Sequence, residues 1–145
     1  MLISLCGEEE DTKNFIKFLK DLYGEKIVVC DYFRFSFNAI IDTEEFRYKL
    51  FDKCNYSEKI EKIYNNYVDE IVNERISNFL LNNKEKIIIL INSFLDEDIN
   101  KTVFFNKSDF KVLIVLDKNN VFFRKVSDYN ENDFDIVIKR IKKII

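Results

Sequence analysis

A chain of 145 residues, 47% hydrophobic and 15% aromatic, has the material for one buried core despite 34% charged residues. It has no His, Pro or Trp and only two Gly, which excludes a Ser-His-Asp triad, a His-containing zinc site and a three-glycine dinucleotide fingerprint, and disfavours turn-rich sandwiches. A net charge of −3 and a pI near 5.2 offer no basic field for nucleic acid or an anionic membrane.

In chain order, the apolar run Leu2–Cys6 is predicted as a strand, followed by Gly7 and an acidic stretch that opens a helix. Phe15, Phe18, Leu19 and Leu22 fall at helical spacing, and Gly24 stands where that helix should end. Residues 27–30 read as a second strand that runs on through Phe33. A polar-aromatic passage in which Phe33, Phe35 and Phe37 alternate leads to a helix over 43–51. The longest periodic element covers 56–81, with Ile60, Tyr64, Tyr67 and Ile71 on one stripe. Residues 87–91 are predicted as a third strand, 97–105 as a short helix and 112–116 as a fourth strand. Phe134, Val137, Ile138, Ile141, Ile144 and Ile145 fall on a closing helical stripe, with Lys139, Arg140, Lys142 and Lys143 on its solvated side, and the segment is either one helix or a strand followed by a helix.

Continuous β-branched runs suit parallel strands covered on both faces. Strands alternating with helices imply right-handed crossovers. The expected fold is an α/β, small doubly wound, mostly parallel sheet of four to five strands with flanking helices. The sequence has no internal repeat, linker or composition break, so 1–145 is expected to be a single domain. No apolar stretch is longer than residues 87–91, far short of the ~20 residues that span a bilayer. The start lacks the basic and long apolar regions of a signal peptide. Cys6, Cys30 and Cys54 have no paired metal spacing and fit free thiols in a reducing compartment, so a cytoplasmic protein is expected. Heavy use of Ile, Asn, Lys and Phe points to an AT-rich genome, such as that of a virus, a parasite or a low-GC bacterium.

In a doubly wound sheet, ligands bind beyond the carboxyl ends of the strands, which draws attention to the first loop. Gly7 and Lys13 stand six apart, the spacing of the first Gly and the Lys in a G-x-x-x-x-G-K-[ST] phosphate-binding loop. The bland alternative is a polar turn with Asp11 or Thr12 as helix N-cap. Further along, 88–91 run into Asn92-Ser93-Phe94 and the acidic Asp96-Glu97-Asp98. The strand at 112–116 leads on to Asp133-Phe134-Asp135-Ile136-Val137-Ile138.

In these features the chain resembles the P-loop small-molecule kinases, in particular phage-type deoxynucleoside monophosphate kinases and animal-type phosphomevalonate kinases. In those families the loop ends Gly-Lys-Asp, where Thr12-Lys13-Asn14 stand here, and the third strand ends in Asp-x-Arg, where Asn92 and Phe94 stand. The resemblance implies a P-loop fold with Gly7, Thr12, Lys13 and Asn14 at the nucleotide phosphates. It implies Lys13 and Arg124, the latter in a lid beside Lys125, as catalytic groups if the protein is active. Asp31 and Arg34, with Arg47, would meet the acceptor, and Mg-ATP would be the cofactor of an active form.

The departures bear on activity. Thr12 replaces the glycine that lets the loop approach a phosphate. Glu8, Glu9, Glu10 and Asp11 place four carboxylates where a polyanion should sit, each costing roughly 1 kcal/mol against one phosphate charge in water-like surroundings. Asn92 and Phe94 carry no charge. The expectation is a degenerate, non-catalytic kinase-like protein, a pseudokinase retained as a binding or assembly module. It would have no cofactor or metal and no nucleic-acid or membrane partner, but a protein partner or a second copy of itself. The alternative is an active NTP-dependent kinase acting on a nucleoside monophosphate or similar small phosphate. A second alternative is an unrelated α/β interaction domain.

Overall fold

The computed structural model describes residues 1–92, 103–116 and 131–140. The chain divides into two compact units, one made of residues 1–30 and 83–145, the other of residues 31–82.

The first unit is built on a five-stranded sheet. Its strands are β1 (Leu2–Cys6), β2 (Ile27–Asp31), β3 (Ile87–Asn92), β4 (Phe110–Leu116) and β5 (Ile136–Arg140), in the order β2-β3-β1-β4-β5. β1 pairs in parallel with both β3 and β4, and β4 pairs in parallel with β5. Strand alternation sorts the side chains onto two faces. On one face Leu5, Ile27, Ile89, Val112 and Ile114 pack with Ile16 of helix α1 (Glu9–Tyr23), flanked by Phe15 and Leu19. On the other, Cys6 and Leu113 pack with Phe105 of the short helix α5 (Val103–Asn106) and with Phe134. The Phe105 and Phe134 rings meet edge to face at 5.5 Å. Covering both faces is what permits uninterrupted apolar strands. The strand starts are tied down by carboxylates. Asp109 accepts the Leu2 N–H at 2.8 Å, and Asp135 accepts the Lys111 N–H at 2.8 Å.

In this unit two elements differ from the sequence expectation. α1 begins at Glu9 with Glu8 as N-cap, not with Asp11 or Thr12, and its inward stripe is Thr12, Phe15, Ile16 and Leu19. Phe18 and Leu22 lie on the outer flank and are exposed. Gly24 does end the helix, at φ +61°, a conformation that favours Gly over any residue with a Cβ. Residues 136–140 form β5 rather than part of a helix, because backbone pairing with Val112–Leu116 claims them. Of the helix expected over 97–105, the described part is α5; the remainder lies outside the described residues.

The second unit is helical: α2 (Tyr32–Asp42), α3 (Glu44–Cys54) and α4 (Glu58–Asn82). Here the strand expected to continue through Phe33 stops at Asp31, and the alternating phenylalanines lie on a helix. The cause is local. Asp31 caps α2, its carboxylate accepting from the backbone N–H of Phe33 at 3.1 Å and of Arg34 at 3.4 Å. α4 buries Tyr64, Val68, Val72 and Ile76, a stripe at every fourth residue; Tyr67, expected on the stripe, is exposed. α2 packs on α4, with the Phe35 and Phe79 rings 6.0 Å apart. Thr43 joins α2 to α3, and its buried hydroxyl lies 2.7 Å from the Ala39 carbonyl and 2.8 Å from the Tyr64 hydroxyl. Arg75 adds an ion pair to Asp42 at 2.8 Å. No described helix is long and apolar enough to cross a membrane.

Candidate functional site

The chain leaves β1 toward one side of the sheet and leaves β3 toward the other, so the topological switch lies at the carboxyl ends of β1 and β3. Cys6 and Asn92 are register partners there, and the turn into α1 follows directly. Only Gly7 and Glu8 separate strand from helix. Residues 9–12, which a G-x-x-x-x-G-K loop would wrap around a phosphate, form the first turn of α1. The Thr12 N–H donates to the Glu8 carbonyl at 2.9 Å. The Thr12 hydroxyl donates back to the Glu9 carbonyl at 2.9 Å, and its methyl faces Gly7. A Cβ on Gly7 would lie 3.1 Å from that methyl and 3.3 Å from the Ile114 Cβ. Close packing among β1, β4 and α1 therefore crowds any side chain at Gly7, a reason for glycine that needs no ligand.

The other loop residues point elsewhere. Lys13 is 71% exposed and pairs with Glu9 one turn back, at 2.8 Å. The hydrogen bond and charge of Lys13 hold the Glu9 carboxyl below its ordinary range, and Glu9 raises Lys13 in return. Asn14 is exposed, whereas Asp11 and Thr12 are buried. Glu9, Glu10 and Asp11 occupy the first turn, so the positive end of the helix dipole is met by the chain's own carboxylates. Arg124 and Phe94 lie outside the described residues. Among the described residues, no group of three or more His, Cys, Asp or Glu side chains is placed to hold a metal ion.

In the helical unit, Asp31 is occupied as the α2 cap and Arg34 is exposed on α2. Sequence reasoning named Arg47 but missed its setting. Its guanidinium lies over the Phe51 ring at 5.2 Å and the Tyr64 ring at 5.7 Å. These groups, with Ser36, Asn65 and Glu61, line a cleft of about 310 Å3 among the three helices. Arg47, Phe51 and Tyr64 come from two helices, so their meeting had no local signal beyond the four-residue spacing of Arg47 and Phe51. The Phe51 and Tyr64 rings themselves meet edge to face at 6.0 Å. A guanidinium over aromatic rings gains a cation–π attraction while it can still donate hydrogen bonds to a carboxylate or phosphate.

No protein-family model matches the chain, and no curated protein matches it. Solved structures do. A dephospho-CoA kinase from Campylobacter jejuni superposes with a TM-score of 0.66 over 98% of this chain and 89% of its own, at 9% identity. TT1252 from Thermus thermophilus superposes with a TM-score of 0.63 over 97% and 88%, at 12% identity. The protein thus has a P-loop kinase-like α/β fold, as the sequence resemblance implied. At these identities the likeness is one of fold.

Proposed function

We propose that this chain is a kinase-like fold without phosphoryl-transfer chemistry, retained as a binding or assembly module. The observation that carries this reading is the two-residue turn between β1 and α1. A phosphate-binding loop works by turning several backbone N–H groups inward around one anion. Here the Thr12 N–H serves an intrahelical bond, the Thr12 hydroxyl is bonded to the same helix, and Lys13 is paired to Glu9 in solvent. The acidic first turn opposes a polyanion at the one place where its N–H groups remain available.

The active-kinase reading draws on the likeness to a dephospho-CoA kinase. It requires the first turn of α1 to unwind, releasing both the Thr12–Glu8 bond and the Lys13–Glu9 pair. The assay is thermal unfolding with Mg-ATP or Mg-GTP. A nucleotide at ~100 times its dissociation constant stabilises a fold by ~2.7 kcal/mol, about 5–15 °C in a chain of this size. The expected result is no shift at millimolar nucleotide and no phosphoryl transfer to any nucleoside monophosphate. A clear shift that Lys13→Ala abolishes would establish the active kinase instead.

A further inference from the structure

The cleft of the helical unit gathers groups that the loop at Gly7 does not use. On α4, Glu61, Asn65 and Asp69 recur every fourth residue and share one face of the helix with Tyr64 and Val68. At ~1.5 Å per residue, Glu61 and Asp69 stand roughly 12 Å apart along that face. Tyr64 falls between them, with the Arg47 guanidinium over its ring at 5.7 Å. The Tyr64 hydroxyl is bonded to the Thr43 hydroxyl at 2.8 Å, which holds the ring in place. Arg47 is exposed and forms no ion pair among the described residues. Glu61 accepts the Tyr56 hydroxyl on Oε2 at 2.7 Å, and its Oε1 accepts no hydrogen bond among the described residues. Ile40 and Val68 add apolar surface to the same cleft.

We propose that this cleft binds a free amino acid with an apolar side chain. Its volume of about 310 Å3 lies at the lower end of small-molecule sites and suits a ligand of that size. The ligand's carboxylate lies on the Arg47 guanidinium, whose planar fork matches it. Glu61 and Tyr64 are one turn apart, so the same ligand can place its ammonium at Glu61 Oε1. Its side chain then lies against Ile40 and Val68. The charges choose among anions. One cation and two carboxylates line the cleft, so it repels a phosphate dianion, whereas a zwitterion offers one charge of each sign. A plain monocarboxylate would leave Glu61 unanswered. The proposal rests on the binding part of the reading above and is independent of the loss of phosphoryl transfer.

Isothermal titration calorimetry of the full chain with L-leucine and L-phenylalanine is expected to give a dissociation constant of about 1 mM or below. Isocaproate and hydrocinnamate, which keep the carboxylate and side chain but lack the amine, should bind at least about 5-fold more weakly. Arg47→Gln should weaken L-leucine by about 10-fold or more, with an unchanged circular dichroism spectrum. Glu61→Gln should weaken the amino acids and leave the amine-free acids unchanged or tighter, a pattern that a merely structural change would not give. NMR of the wild type covers the case in which a variant misfolds. The Arg47 Nε–H and Asn65 side-chain amide signals should move on adding L-leucine, and the Asn14 side-chain amide on α1 should not. No binding by the wild type, equal affinity for the amine-free acids, or a folded Arg47→Gln that binds L-leucine as well as the wild type would overturn the proposal. So would tighter binding of inorganic phosphate or adenosine monophosphate, which would make the cleft a phosphate site. Absence of amino-acid binding together with no Mg-ATP shift would refute this site while leaving the loss of phosphoryl transfer standing.

Discussion

Replacing Gly7 by Ala isolates the reason for a glycine at the end of β1. Its φ is not positive, so the chain itself accepts a Cβ, and stiffening the unfolded state would stabilise the protein by about 0.4–1 kcal/mol. Against that, the new methyl stands 3.1 Å from the Thr12 methyl and 3.3 Å from the Ile114 Cβ. Overpacking a tight contact costs about 1–3 kcal/mol, so the net destabilisation should be near 1 kcal/mol. Thr12→Ser removes the crowding methyl and by itself should cost about 1 kcal/mol in lost burial. In the double variant the methyl introduced by Gly7→Ala moves into the space that the Thr12 methyl vacated. The two losses should then sum to about 1 rather than 2 kcal/mol, a coupling readable in urea unfolding. Strict additivity, or a Gly7→Ala protein more stable than wild type, would refute the packing role.

Two further outcomes are expected. Asp31→Ala should cost about 1 kcal/mol in urea unfolding through loss of the α2 cap, with Asp31→Ser recovering most of it. The Glu9–Lys13 pair sets a pH dependence with a definite sign. The folded Glu9 carboxyl sits below its ordinary value, so its contribution is present above that value and is lost as pH falls through the folded pKa. Lys13, raised, contributes below its ordinary value and loses that contribution as pH rises through its folded pKa. An NMR titration of Lys13→Gln should show Glu9 returning to the ordinary carboxylate range, with stability at neutral pH hardly changed because the pair is exposed.

Strand-forming runs were the most legible part of the fold. Leu2–Cys6, 87–91 and 112–116 are short and apolar, the latter two rich in β-branched residues and bounded by polar ones, and each lies within a strand of the parallel sheet. The long helix at 58–82 was legible for its periodicity, although its buried stripe runs through Val68, Val72 and Ile76 rather than through Tyr67. Phe33, Phe35 and Phe37 misled because alternation imitates a strand, while the deciding signal, a capping Asp31 before a helix-length run, is a single residue. At the other end, the spacing of Phe134, Val137 and Ile138 satisfies a helix, yet the backbone there pairs with β4.

The candidate site divides in the same way. The sequence by itself established that no histidine chemistry or three-glycine loop is possible and that four carboxylates follow Gly7, because these are matters of which atoms are present. Tertiary structure alone decided that Thr12 packs on Gly7 beneath Ile114 and that Arg47 lies over Phe51 and Tyr64. Those outcomes depend on neighbours distant in sequence. Ile114 stands more than a hundred residues from Gly7, and only the pairing of β4 with β1 brings it against that glycine.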